Sequence, residues 1–235
     1  MKNKWKTIGI LGGMGPEASQ DIYLKIIQYV QKKYHPKTEA DYPPIIIYSL
    51  PLNGLNDEGI EDGERIPTQL ISGIHALEKA GADFIIIPCN TVHKFYDELV
   101  KSSKVPLINV LKVTLDCVAQ KNFKKLGLIS TQTTVEDKLY HKHCDKMGIT
   151  LLTLSPYNQI KINSIIGNIS RGIKNSNDQK ILNSIISDLS DQGAEGVIFG
   201  CTEIGLIFSN QVRKTNIFDS SQVLAEYAVD MAFVE

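Results

Sequence analysis

Residues 81–91 and 193–203 read as copies of one another, and in each copy a short apolar run leads into a cysteine. Gly81-Ala82-Asp83-Phe84-Ile85-Ile86-Ile87-Pro88-Cys89-Asn90-Thr91 aligns without a gap on Gly193-Ala194-Glu195-Gly196-Val197-Ile198-Phe199-Gly200-Cys201-Thr202-Glu203. An acidic residue leads each run, a turn residue (Pro88 or Gly200) closes it, and small polar residues follow the thiol. This is the pattern of a buried strand that delivers a cysteine at its carboxyl end. Ligands of open α/β sheets bind beyond the carboxyl ends of strands, so a chain built this way twice can turn two thiols toward one ligand from opposite sides. Two opposed acid/base groups are the equipment for stereochemical inversion.

The repetition extends further. Thr7-Ile8-Gly9-Ile10-Leu11 opens the first half and Lys125-Leu126-Gly127-Leu128-Ile129-Ser130 stands in the matching place in the second. Other runs of strand length lie at Pro44 to Leu50, Val105 to Val110, Ile149 to Leu154 and Asn216 to Phe218, most of them continuously apolar, as strands covered on both faces are. Helical spacing occupies residues 17–34, 65–80, 135–147 and 178–192. Strands alternating with helices predict parallel sheets flanked by helices. The expected fold is α/β, with two similar Rossmann-like subdomains related by a pseudo-twofold and the site in the cleft between them. Residues 1–109 form the first subdomain and 110–211 the second; residues 212–235, with a helical stretch from Ser221 to Phe233, return to the first.

Lys and Arg number 25 against 26 Asp and Glu in 235 residues, and no segment concentrates the basic ones, which argues against nucleic acid or an anionic membrane as partner. Ile8 to Leu11 is too short for the apolar region of a signal peptide, and no run approaches membrane-spanning length. The expectation is therefore a cytoplasmic protein whose four cysteines, Cys89, Cys117, Cys144 and Cys201, are thiols. No closely spaced Cys/His group suggests a metal site.

Gly12-Gly13-Met14-Gly15-Pro16-Glu17-Ala18 satisfies the loose dinucleotide fingerprint, but the next strand ends Tyr48-Ser49-Leu50-Pro51, without the acidic residue that would hold a ribose. Two readings stand ahead of a nucleotide site: a turn whose free N–H groups, ahead of Pro16 at a helix start, cradle a substrate carboxylate, with Met14 among the contacts, and glycines that serve only a tight strand-to-helix turn. Cys89 and Cys201 each precede a helix start, where the dipole and free N–H groups are expected to lower a thiol pKa. Asn90, Thr91 and Thr202 add short hydrogen-bonding groups, Thr131 and Thr134 serve as carboxylate cradle or helix caps, and Glu203 can receive a substrate ammonium. His93, four residues after Cys89, reads as a capping or packing residue, with assistance to proton transfer on the same helix face as the alternative; Cys117 and Cys144 read as small buried apolar groups.

Ile8-Gly9-Ile10-Leu11-Gly12-Gly13-Met14-Gly15-Pro16-Glu17-Ala18, Pro88-Cys89-Asn90-Thr91-x-His93 and Gly200-Cys201-Thr202-Glu203-Ile204 resemble the signatures of the cofactor-independent aspartate/glutamate racemase family, in its aspartate-racemase branch. The resemblance implies a racemase without pyridoxal phosphate or metal, commonly a homodimer. It implies Cys89 and Cys201 as the acid/base pair, with Asn90, Thr91, Thr131 and Thr202 around the amino-acid substrate. One departure concerns the side chain: Pro51-Leu52-Asn53-Gly54-Leu55 stands where aspartate-selective relatives often place Asp-Arg, while Arg171-Gly172-Ile173-Lys174 looks like the segment supplying a basic residue, here Lys174, to the side-chain carboxylate. Aspartate is the expected substrate; glutamate or a broader range, a decarboxylase or cis-trans isomerase of the same fold, and a silent amino-acid-binding or thiol-redox protein are the alternatives.

Overall fold

The computed structural model describes residues 5–173, 175–208 and 215–234. The first half runs β1 (Ile8–Gly12), α1 (Pro16–Tyr34), β2 (Ile45–Ser49), a small hairpin of β3 (Leu55–Asn56) and β4 (Gly59–Ile60), α2 (Ile66–Lys79), β5 (Phe84–Ile86), α3 (Tyr96–Ser102) and β6 (Leu107–Ile108). The second runs α4 (Val110–Ala119), β7 (Lys125–Ser130), α5 (Gln132–Glu136), α6 (His141–Lys146), β8 (Thr150–Leu152), α7 (Pro156–Ser170), α8 (Asp178–Asp191), β9 (Gly196–Gly200), α9 (Thr202–Ile207), β10 (Asn216–Asp219) and α10 (Ser220–Ala232).

Two four-stranded parallel sheets result, ordered β2-β1-β5-β6 and β8-β7-β9-β10. The order is the same in both, with β7 in the place of β1 and β9 in the place of β5. The duplication read in the sequence is thus a duplication of topology, and the fold is the α/β pair of Rossmann-like halves expected.

Alternate side chains of each strand feed different cores. Ile8 and Ile10 of β1 join Leu126 and Leu128 of β7 in a core shared by the two halves, which α1, α4 and α10 help to fill. The outer face of the first sheet, with Leu11 and Ile85, is covered by α2 through Ile66, Leu70 and Ile74. Ile129, Val197 and Phe199 cover the corresponding face of the second sheet against α7 and α8. Gly9, one of two glycines in β1, is there for a packing reason: a Cβ would lie 2.8 Å from that of Ala82.

The expected helix over 135–147 is interrupted. The backbone passes through a left-handed residue at Lys138 (φ 54°), and α6 restarts at His141. The break turns Tyr140 inward, where it is fully buried and donates to Asn90 over 2.7 Å, a tertiary demand that overrides helical periodicity. Of the C-terminal stretch, residues 216–219 extend the second sheet, and α10 packs back on α1 and α4.

Candidate active site

The carboxyl ends of β1, β5, β7 and β9 lead into segments that meet between the halves: the glycine turn, Cys89-Asn90-Thr91, Thr131 and Cys201-Thr202-Glu203. Together they wall a cavity of about 170 Å³ that both thiols line. Cys89 and Cys201 are 7% and 5% exposed, close enough that ionisation of Cys89 would oppose ionisation of Cys201. Met14, Asn90, Thr91, Thr131, Thr202 and Glu203 line the same cavity. Thr134 lies behind it, completely buried, and the expected contact at Lys174 falls outside the described residues.

The local reasons are specific. Gly13 has φ +94°, and a side chain there would run into the backbone of Leu50, so the turn after β1 closes against the end of β2 only with glycine. Pro16 begins α1 as its missing N–H allows. The turn does hold a carboxylate, but it is one of the protein's own: the Gly15 N–H donates to Glu203 Oε1 over 3.2 Å, while the Gly13 N–H donates to Ser19 Oγ over 2.8 Å. Both donors are therefore committed internally, which corrects the expectation of a free anion cradle.

Glu203 is the hub. Its Oε2 accepts from the Cys201 thiol at 3.0 Å and from the Thr202 hydroxyl at 3.1 Å. Thr202 Oγ1 also reaches the Pro88 carbonyl, at 3.2 Å, linking the two cysteine segments. Neither thiol has a lowered pKa. Burial first, and the Glu203 charge second, push Cys89 up to about 12, against opposing hydrogen bonds from the Val92 and Thr91 N–H groups and the Thr91 side chain. Burial, the Glu203 charge and the hydrogen bond to it hold Cys201 well above the usual range. The helix-start effect is present in the backbone N–H groups, and desolvation outweighs it.

Thr91, Thr131 and Thr134 form a triangle of hydroxyls with edges of 2.9, 3.0 and 3.3 Å. Thr131 also caps α5, so the binding-wall and capping readings describe one side chain. Asn90 is fixed on both sides: Tyr140 donates to its Oδ1 and its Nδ2 donates to Ser220 Oγ at 2.9 Å. His93 is a packing residue, as expected. Its Nδ1 lies 2.8 Å from the Cys89 carbonyl, and Nε2 lies 3.3 Å from the Val110 N–H and 3.4 Å from the Ile108 carbonyl, so both ring nitrogens are engaged by backbone.

Little of the far wall was legible in the sequence beyond the Leu52–Leu55 segment. Leu52, Leu55, Asn56, Asp57 and Gly59 enter from the β3–β4 hairpin, and Ile166 and Ser170 from α7. The hairpin reaches across from the first half: Ile60 N–H donates to Thr133 Oγ1 at 3.0 Å, and Asp57 pairs with Arg171 of α7 at 2.8 Å. The start of α7 was visible as Ser155-Pro156, an N-cap followed by proline, but α7 itself was not read. No group of three His, Cys, Asp or Glu suited to a metal ion occurs among the described residues.

Two duplicated α/β halves thus close a pair of thiols around one small cavity. Residues 11–228 match the family model described as Asp/Glu/Hydantoin racemase, and the chain belongs to that family. It is 31% identical over 222 residues to the broad specificity amino-acid racemase RacX of Bacillus subtilis (strain 168), a match spanning 94% of this chain and 96% of that protein. Among solved structures it resembles PH1733, an aspartate racemase homologue from Pyrococcus horikoshii OT3, with TM-score 0.79 and 27% identity over 96% of this chain and 98% of that one. The aspartate racemase of Picrophilus torridus shares the fold, with TM-score 0.78 and 21% identity over 98% of this chain and 96% of that one. The protein is an amino-acid racemase. Among the described residues no helix is long and apolar enough to cross a membrane.

Proposed function

We propose that this racemase inverts the α-carbon of a free amino acid by a two-base route, with Cys89 and Cys201 as the bases and no cofactor. The observation that carries the reading is the opening of both thiols into one cavity with Glu203 beside Cys201. One cysteine as thiolate takes the α-proton, the electron pair of the broken C–H bond moves toward the carboxylate, and the other cysteine returns a proton on the opposite face. Roles reverse for the other enantiomer. Hydrogen bonds from the Thr91 and Val92 N–H groups favour the ionised form of Cys89, whereas Cys201 is held protonated through Glu203, which supports Cys89 as base and Cys201 as acid in one direction.

Glu203 raises both thiol pKa values by its charge, so an ammonium placed against it offsets that charge when the base is needed. With no cofactor to delocalise the carbanion, fixed dipoles around the carboxylate have to supply the stabilisation, and the Thr91 and Thr131 hydroxyls are the donors at hand, the Thr202 hydroxyl being committed to Glu203 and the Pro88 carbonyl. Asn90 lines the cavity beside them, and Thr134 supports that wall from behind.

Aspartate is one substrate reading, drawn from the aspartate-racemase neighbours and from the sequence position of Lys174, and a Lys174→Ala protein losing more activity on aspartate than on a neutral amino acid would favour it over the alternatives. The broad specificity named for the Bacillus relative supports a wider range. A homodimer, and a cytoplasmic location, are proposed with it; the exposed Ile47 and Tyr48 on edge strand β2 are apolar surface of the kind a partner copy covers, and sedimentation tests this. The decisive experiment is chiral analysis of the reduced protein with single amino acids and no added cofactor. Appearance of the enantiomer supports the reading; binding without turnover, or release of carbon dioxide, would replace it.

A further inference from the structure

The cavity has a charge balance that the racemase reading leaves unused. Among its described lining residues are two carboxylates, Glu203 and Asp57, and no lysine, arginine or histidine. Glu203 sits at the thiol end. Asp57 sits on the β3–β4 hairpin, with its side chain about one-third exposed, and so stands toward solvent from the two buried cysteines. The nearby guanidinium of Arg171 takes Asp57 Oδ2 at 2.8 Å from outside the lining; Oδ1 has no hydrogen-bond partner among the described residues. Leu52, Leu55 and Ile166 provide apolar wall between the hairpin and α7.

An amino acid with a side-chain carboxylate carries two negative groups and one positive group into this cavity. Its side chain meets Asp57 with Arg171 already engaged, and like charges brought together in a partly desolvated site repel. A substrate with a second cation has the matching arrangement: its α-ammonium against Glu203, its methylenes along the leucines and Ile166, and its terminal charge at Asp57 Oδ1. We infer that Asp57 is the side-chain specificity residue of this racemase and selects amino acids whose side chains end in an ammonium or guanidinium group. The inference rests on the racemase reading for the identity of the α-carbon end. The Asp57–Arg171 pair ties the hairpin to α7 through Oδ2 and leaves Oδ1 for the substrate.

The test compares L-lysine, L-norleucine and L-aspartate by chiral chromatography with the wild-type protein, Asp57→Asn and Arg171→Gln. Norleucine has the lysine chain without its ammonium. The expected result is a kcat/KM for lysine at least about tenfold above norleucine and aspartate, as one charge-assisted hydrogen bond provides. The lysine-to-norleucine ratio should collapse toward one in Asp57→Asn and be kept or raised in Arg171→Gln. A wild-type preference for aspartate, or a lysine preference that Asp57→Asn leaves intact, overturns the assignment. If no amino acid is racemised, the racemase reading fails separately, and titration calorimetry decides the side-chain claim: lysine binding over norleucine that is lost in Asp57→Asn upholds it, and equal binding overturns it.

Discussion

The Cys201 thiol donates to Glu203 Oε2 over 3.0 Å while the Gly15 N–H donates to Oε1 of the same carboxylate, so one side chain ties a thiol of the second half to the glycine turn of the first. Its charge also raises the pKa of both cysteines. Glu203→Gln is expected to move the onset of thiolate ultraviolet absorbance to lower pH. Loss of the partner for the substrate ammonium should raise KM by about 10–100-fold, the worth of a hydrogen bond to a charged group. A thiolate titration that does not move would remove Glu203 from control of the thiols.

Removing either thiol takes away proton transfer at one face. Cys89→Ala and Cys201→Ala should each lower the racemisation rate by about 10²–10⁴-fold, the usual contribution of a positioned acid or base. Circular dichroism should be unchanged, since both side chains are small. Near-normal turnover by either variant, read by chiral chromatography, would mean that one thiol is dispensable.

Stability should fall in alkali. Cys89 is pushed up to about 12 by burial and Glu203, and Cys201 is raised for the same reasons, from an ordinary value of 9.0. Below pH 9 both states hold these protons and the contribution is complete. From pH 9 toward 12 the unfolded thiols ionise and the folded ones do not, so unfolding is favoured by up to about 1.4 kcal/mol per pH unit for each thiol. Urea melts of the Cys89→Ala, Cys201→Ala protein should show a shallower alkaline decline than the parent; identical slopes would contradict the raised values.

Tyr140 and Ser220 grip Asn90 in a fully buried set. Tyr140→Phe leaves the Asn90 Oδ1 without its donor, at an expected cost of about 1–3 kcal/mol in chemical denaturation. Turnover should drop more than KM rises, because the Cys89-Asn90-Thr91 segment loses its anchor while the cavity lining is unchanged. A variant as stable as the parent would show that Asn90 finds another partner.

Much of the architecture was readable because it is local and repeated. Buried parallel strands announce themselves as apolar runs, and the cysteines sit at equivalent strand ends in both halves. Strand boundaries shifted by a residue or two where edge pairing was short, as at β6 and β8. What escaped was set by contacts distant in sequence. Asp57 and Arg171 lie 114 residues apart, and nothing in either segment announces the pair. The β3–β4 hairpin has two-residue strands, too short for alternation to register. Tyr140 sat within helical spacing, and its pull toward Asn90 could not be seen without the fold. The thiol pKa direction was misjudged for a related reason: a helix start is visible in sequence, whereas the depth of burial and the position of the Glu203 side chain are not.

Two thiols that exchange the α-proton from opposite faces without a cofactor leave an isotopic signature on the product. The most direct measurement is incubation of the reduced protein in deuterated buffer with L-lysine, L-norleucine or L-aspartate, following the α-proton signal and the enantiomer ratio together. A newly formed D enantiomer should carry solvent deuterium at its α-carbon, and exchange and inversion should both vanish in the Cys89→Ala, Cys201→Ala protein. Inversion with the original proton retained, or inversion that survives loss of both cysteines, would contradict it.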